Sequence, residues 1–237
     1  MLAKMIDKIV SLKETKIFEI DGHTYADREL NIVRPPKPKP ASINFHSLDA
    51  IVKMVRAELE QAGKRLFICV ERHNRVTVFS TYDDECERWS LYSAEADAPG
   101  LPSGWREIDK ALIELRSLCI PGEGGNKLIA LLSNVNFDDG MEVRDNGVGQ
   151  EVKVKSGVSL NQMAKIEPRV ELRPFRTFLE VAQPASEFIV RVDKTNGVGI
   201  FEADGGVWKL EAKQNIVKYL TNALEDLVEQ GNVVVMQ

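Results

Sequence analysis

Apolar positions recur at helical spacing over the first thirteen residues: Leu2, Met5, Ile6, Ile9, Val10 and Leu12. They predict a short amphipathic helix. KIFEIDGHTYAD then sets Asp21-Gly22 between two short strand-like runs, which predicts a hairpin. Asn44 or Ser47 is placed to cap a helix running to Gly63, with Leu48, Ile51, Val52, Val55 and Leu59 on one face. RLFICVE and VTVFSTY, joined by the polar turn RHNR, read as paired antiparallel strands, and ERWSLYSAEA as a third. Two helices are expected from about Trp105 to Cys119 and from about Asn126 to Val135, separated by Pro121 to Gly125.

From Phe137 the pattern changes. Turn signals at Asp139-Gly140, Asp145-Asn146-Gly147, Asn196-Gly197 and Asp204-Gly205-Gly206 punctuate strand candidates EVKVKSGV, RVELRPF, RTFLEV, EFIVRV, GIFEA and VWKLEA. A final helix from about Glu211 to Gln230 carries Ile216, Val217, Leu220, Leu224, Leu227 and Val228 at three- and four-residue spacing. NVVVMQ offers a last strand. The fold class expected is α+β, with an antiparallel β-rich C-terminal half forming a curved sheet or partial barrel under packed helices.

Four prolines in RPPKPKP (Arg34 to Pro40) exclude a helix or sheet interior and mark an extended basic connector. The expected organisation is therefore 1–40 (helix, hairpin, connector), 41–136 (an α+β portion) and 137–237 (a β-meander with the last helix). The last two are open to forming one continuous domain.

Composition narrows the class. The 237 residues are 43% hydrophobic and 28% charged with a net charge of −5, an ordinary globular balance. No apolar run approaches the ~20 residues of a membrane span and the N-terminus lacks a signal-peptide core, so no membrane partner is expected. Cys69, Cys86 and Cys119 show no CxxC spacing and read as reduced thiols of a cytoplasmic protein.

Motifs for chemistry are sparse. His23, His46 and His73 stand alone, whereas a zinc site needs three or four converging ligands, so neither metal nor cofactor is expected. No GxSxG elbow is present, and Cys119 reads as a core thiol. Gly122, Gly124, Gly125 and Lys127 precede a helix as in a phosphate loop. However, Leu128 stands where a Mg²⁺-binding hydroxyl belongs, and a plain interhelical loop is the simpler reading. Asp145 with Glu151 and Lys153, or Asp204 with Glu211 and Lys213, imitates the acid–(D/E)xK set of a metal-dependent nuclease. With 36 acids and 17 lysines in the chain, chance supplies about two or three such acid-x-Lys pairs.

Charge is uneven, with six cations against three acids from Glu151 to Arg176 and with Phe175 and Phe178 interleaved. A basic, partly aromatic sheet face is how single-strand binders track a backbone and stack bases. That use requires Lys153, Arg173 and Arg176 exposed on one face. Arg173, Arg176, Glu180, Arg191, Glu202 and Asp204 lie among apolar strands, where charges pair with each other, face solvent or converge on a polar ligand. With Lys153 they form the candidate ligand-binding set. No catalytic residue is assigned.

DGMEVRDNGVGQEVKVKSGV, LRPFRTFLEVAQPASEFIVRV and FEADGGVWKLEAKQNIVKYL, within residues 139–220, resemble a family of uncharacterised phage and prophage proteins. The matching positions are Pro174, Phe175, Arg176, Thr177, Phe178, Glu180, Val181, Gln183, Pro184, Ser186 and Phe188, then Glu202, Asp204, Gly205, Gly206 and Trp208. Phe175 departs from the Tyr of the family pattern. The resemblance implies a phage or prophage origin, in a non-structural gene near replication and recombination functions, and no established activity. The preferred expectation is a non-enzymatic accessory protein of the bacterial host cytoplasm that binds single-stranded nucleic acid. Alternatives are a counter-defence or regulatory protein binding a host protein or a nucleotide signal, and a divergent metal-dependent nuclease. NVVVMQ, as an apolar edge, is open to docking within the chain or to a homo-oligomer.

Overall fold

Strands β1 (Ile17–Ile20) and β2 (His23–Ala26) pair antiparallel, Ile17 opposite Ala26 and Ile20 opposite His23, as the hairpin reading predicts. This computed structural model describes residues 5, 15–20, 23–26, 41–62, 64–83, 86–135, 143–145, 150–156 and 160–237. Most of the expected first helix and the whole RPPKPKP connector lie outside them. The chain divides into two compact units, Met1–Lys39 and Pro40–Gln237.

The second unit opens with β3 (Ile43–Phe45) and helix α1 (Leu48–Ala62). Ser47 caps α1 as expected, its Oγ accepting the Ala50 N–H at 3.2 Å. Strands β4 (Leu66–Arg72), β5 (Arg75–Phe79) and β6 (Ser90–Glu95) follow as an antiparallel run. Next come β7 (Gly104–Arg106), α2 (Ile108–Ser117) and α3 (Glu123–Asn134). Strands β8 (Val143–Asp145), β9 (Gln150–Ser156) and β10 (Leu160–Ile166) form a three-stranded sheet. Then β11 (Arg169–Leu172), β12 (Ser186–Asp193) and β13 (Gly197–Glu202) lead to α4 (Trp208–Ala223), α5 (Glu225–Glu229) and β14 (Val233–Met236).

The larger sheets interleave early and late chain. One runs β14-β4-β5-β6-β3, with β14 parallel to β4 and β3 parallel to β6; the other is the antiparallel β11-β12-β13-β7. The NVVVMQ strand thus pairs within its own chain. Strand alternation sends Leu66, Ile68, Val70, Val76, Val78, Tyr92 and Ala94 into a first core against Leu48, Ile51 and Val55 of α1 and Ile216 and Leu220 of α4. In the second core Val170, Leu172, Phe188, Val190, Val192, Val198 and Ile200 meet Ala111 and Leu115 of α2 and Leu128 and Leu132 of α3. The class is α+β, and no sheet closes into a barrel among the described residues.

Several boundaries differ from the sequence expectation. Trp105 belongs to β7 rather than to a helix, and β10 arises from LNQMAKI, whose polar positions gave little strand signal. RTFLEV is an irregular crossing, and VWKLEA begins α4, because Trp208, Ala212, Ile216 and Leu220 recur every four residues as its buried face. The Gly124-Gly125 pair lies inside the first turn of α3. A Cβ on Gly124 would stand 2.7 Å from the Glu171 carbonyl oxygen, so glycine lets the helix lie directly on the β11 backbone. At Gly125 the nearest atom is Leu172 Cδ2 at 3.5 Å, an ordinary contact.

These distances separate two adjacent glycines. Gly124→Ala is expected to destabilise the fold by about 1–3 kcal/mol through overpacking. Gly125→Ala gains helix propensity and stays within about 1 kcal/mol of the parent. Urea unfolding of both variants checks this, and equal midpoints would remove the packing argument for Gly124.

Candidate functional site

Between β11 and β12 the chain passes from the second core through the first and back. Arg173 to Phe175 is pinned by Ile120 N–H donating to the Arg173 carbonyl, Phe175 N–H to Leu118 and Gly100 N–H to Phe175, each at 2.9 Å. Phe178 and Val181 then enter the first core. Backbone groups taken from water here need acceptors and donors. Gln183 supplies both: its Oε1 accepts from Arg176 N–H at 2.9 Å and Thr177 N–H at 3.1 Å, and its Nε2 donates to the Phe178 carbonyl at 2.9 Å.

Arg176 is the charge at this crossing. Its side chain is 7% exposed, and Nη1 donates to Glu202 at 2.6 Å. Nη2 donates to the Pro184 carbonyl at 3.2 Å and to Ser186 Oγ. The guanidinium carbon lies 3.9 Å from the centre of the Trp208 ring, a cation–π stack. Burial lowers the Arg176 pKa from its ordinary value against the opposing pull of Glu202 and Asp204. Asp204 Oδ1 accepts the Gly206 N–H at 2.9 Å, and Gly205 and Gly206 take φ of +65° and +83° to turn the chain into α4. Trp208 is buried as a core anchor and meets the edge of His73 at 4.7 Å between ring centres.

The candidate ligand set therefore divides. Arg176, Glu202 and Asp204 come together at the crossing. Glu180 serves α1, its Oε1 accepting the Leu48 N–H at 2.7 Å and the Asp49 N–H at 3.4 Å, a cap supplied from 131 residues away. Arg173 is exposed, 3.5 Å from Glu171, on the wall of a cavity of about 680 Å³ between α3 and β11. Lys127, Lys165 and Arg169 line the same cavity, as do Glu123, Glu167 and Glu171. Arg191 is half-buried on the outer face of β12. The Lys153 side chain lies outside the described residues. A shared exposed face for Lys153, Arg173 and Arg176 is thus not formed, because Arg176 and Phe178 turn into the protein.

Of the acids read as nuclease-like, Asp145 and Glu151 lie on paired strands, and the Asp145 side chain is outside the described residues. The β8–β9 register sets Asp145 opposite Gln150 and Arg144 opposite Glu151, so Asp145 and Glu151 hold ladder positions of opposite parity. Glu211 and Lys213 stand two apart on α4, where side chains diverge. Among the described residues no three His, Cys, Asp or Glu side chains group as metal ligands. Cys119 is buried after α2, and burial pushes its thiol up to about 11.

A surface that the sequence reading missed lies on the side of the β11-β12-β13-β7 sheet away from α2 and α3. Register aligns Arg169, Ile189 and Phe201 in one row and Arg191, Gly199 and Trp105 in the next. Trp105 is 46% exposed, and its ring meets the Phe201 ring edge-on at 5.8 Å. A Cβ on Gly199 would lie 2.6 Å from Phe201 Cε2 and 3.0 Å from Trp105 Cε3, so both rings rest over bare backbone. Arg191 Nη1 is buried without a hydrogen-bond partner among the described residues. The readable signal was the alternation in GVGIFE, which puts Val198 and Ile200 inward and leaves Gly199 and Phe201 outward.

Comparison of the chain with protein-family models, curated proteins and solved structures returned no match. Among the described residues no helix is long and apolar enough to cross a membrane.

A structural Arg176 and a solvent-facing Arg173 respond differently to the same change. Arg176→Lys removes the fork that reaches Glu202, Ser186 and Pro184 together and is expected to cost about 2 kcal/mol or more. Arg173→Lys stays within about 0.5 kcal/mol. Thermal melts of the two variants decide it, and a silent Arg176→Lys would contradict the role assigned to the crossing.

Proposed function

We propose that this chain is a phage or prophage accessory protein that binds single-stranded nucleic acid without catalysing a reaction on it. The observation carrying the reading is the open sheet face on which Trp105 and Phe201 lie over Gly199, with Arg191 in the same row and Arg169 in the next. Every base offers a π face, so an exposed tryptophan beside a phenylalanine stacks unpaired bases of any sequence, while guanidinium groups follow the phosphates. A duplex hides those faces, and a net charge of −5 disfavours a dedicated duplex binder. The resemblance over residues 139–220 supports the phage setting, and the host cytoplasm is where such strands arise. Self-association belongs to the same reading, since β14 ends its sheet and keeps a free edge among the described residues.

A second reading, capture of a nucleotide signal, draws on the cavity of about 680 Å³ with Lys165, Arg169 and Arg173 on its wall. No aromatic side chain lines that cavity among the described residues, which leaves a base without a stacking partner.

Fluorescence anisotropy with a labelled oligothymidylate tests the proposal. Binding is expected at low salt and should weaken steeply as salt rises. Trp105→Ala is expected to weaken it roughly tenfold or more, with Trp89→Phe close to the parent. Arg191→Gln should weaken binding and flatten the salt dependence. A protein that ignores single strands at low salt, or a Trp105→Ala variant that binds like the parent, overturns the reading. Mononucleotide binding without oligonucleotide binding would favour the second one.

A further inference from the structure

The crossing also borders a cleft of about 240 Å³ lined by His73, Gly100, Ser103, Arg176, Glu202 and Trp208 among others. Two of these residues are more than nine-tenths buried, Trp208 at 6% and Arg176 at 8% exposure. Each keeps a buried N–H, Trp208 Nε1 and Arg176 Nε, with no acceptor among the described residues. Buried donors without acceptors are costly and call for an explanation. Glu202 Oε1 accepts from Arg176 Nη1 at 2.6 Å, and its carboxylate accepts from neither of these two donors. Charges of both signs stand around the cleft, Lys209 and Arg72 beside Arg176 and the acids Glu202 and Asp204. His73 has its pKa lowered first by burial and then by the charges of Lys209, Arg176 and Arg72.

We infer that this cleft is a binding site for a small oxyanion, the phosphate or carboxylate group of a ligand, accepting hydrogen bonds from Trp208 Nε1 and Arg176 Nε. The volume suits one such group with little attached to it. Glu202, Ser186 and Trp208 hold Arg176, so its guanidinium is fixed beside the cleft. Lys209, 5.7 Å from the Trp208 ring centre, and Arg72 add charge from the start of α4 and the end of β4. Asp204 and Glu202 are the opposing acids, one occupied in the turn before α4 and the other on Arg176. This site is separate from the sheet face, and it stands or falls independently of strand binding.

Indole N–H resonances of the ¹⁵N-labelled full chain read the proposed bond directly. Trp89, Trp105 and Trp208 are assigned by single Trp→Phe variants, and the parent is titrated with inorganic phosphate, acetate and sodium chloride. The Trp208 N–H is expected to move saturably at millimolar phosphate while the other two stay, and the His73 pKa should rise as an anion settles beside it. Lys209→Gln should weaken the response about fivefold. A response to acetate with none to phosphate would keep the site and assign it to carboxylates. A Trp208 signal that moves with neither anion, or one that moves together with the other indoles and equally with chloride, overturns the inference.

Discussion

Between β11 and β12 the chain leaves one hydrophobic core, enters the other and returns, and a buried guanidinium with a buried amide makes that passage possible. Arg176 to Phe178, with Val181, Gln183 and Pro184, carry their peptide groups through the buried interior, away from water. Gln183 answers the N–H groups of Arg176 and Thr177 and the carbonyl of Phe178, while Arg176 answers Pro184, Ser186 and Glu202. The rest of the second unit hangs on this. Trp208 stacks on Arg176 and fixes the start of α4, Thr177 Oγ1 donates to the His73 carbonyl at the β4–β5 turn, and Glu180 caps α1. Loss of Glu202 would leave the buried guanidinium of Arg176 without its charge partner, a costly change.

The same passage decides which surfaces are left for work. Because α2 and α3 both pack on the Val190 and Ile200 side of the second sheet, its other side keeps Trp105, Phe201 and Arg191 without a covering helix among the described residues. Gly199 lowers the backbone beneath the two rings, and β7 holds Trp105 in register with Arg191. Rigid strands rather than a loop therefore set the spacing between ring and cation, which favours a preorganised stacking surface.

Much of the fold was legible as period and punctuation. Alternation in RLFICVE and VTVFSTY, the cap at Ser47 and the apolar stripe of the last helix all match the structure, because each is a local rule that burial then reinforces. The misreadings share a cause, which is that tertiary contact outvoted a local signal. Gly124 and Gly125 look like a breaker, yet the helix includes both, and at Gly124 β11 leaves no room for a side chain. RTFLEV alternates like a strand, yet Arg176 and Gln183 hold it irregular. Arg176, Glu202 and Asp204 were legible only as members of a larger charged set among apolar strands, and no local rule reveals that Glu180, from the same set, caps a helix 131 residues upstream. Trp105 and Phe201 were hidden because their proximity exists only through the β13–β7 register.

The proposed strand path runs over the open face of the β11-β12-β13-β7 sheet. Ultraviolet cross-linking of a bound oligothymidylate, followed by peptide mass spectrometry, locates the strand without relying on any variant. The predicted result is adducts on the peptides carrying Trp105 and Phe201, lost when unlabelled single strands compete and kept when duplex does. Adducts confined to the α3–β11 cavity, or to other surfaces with Trp105 and Phe201 unmodified, would contradict it.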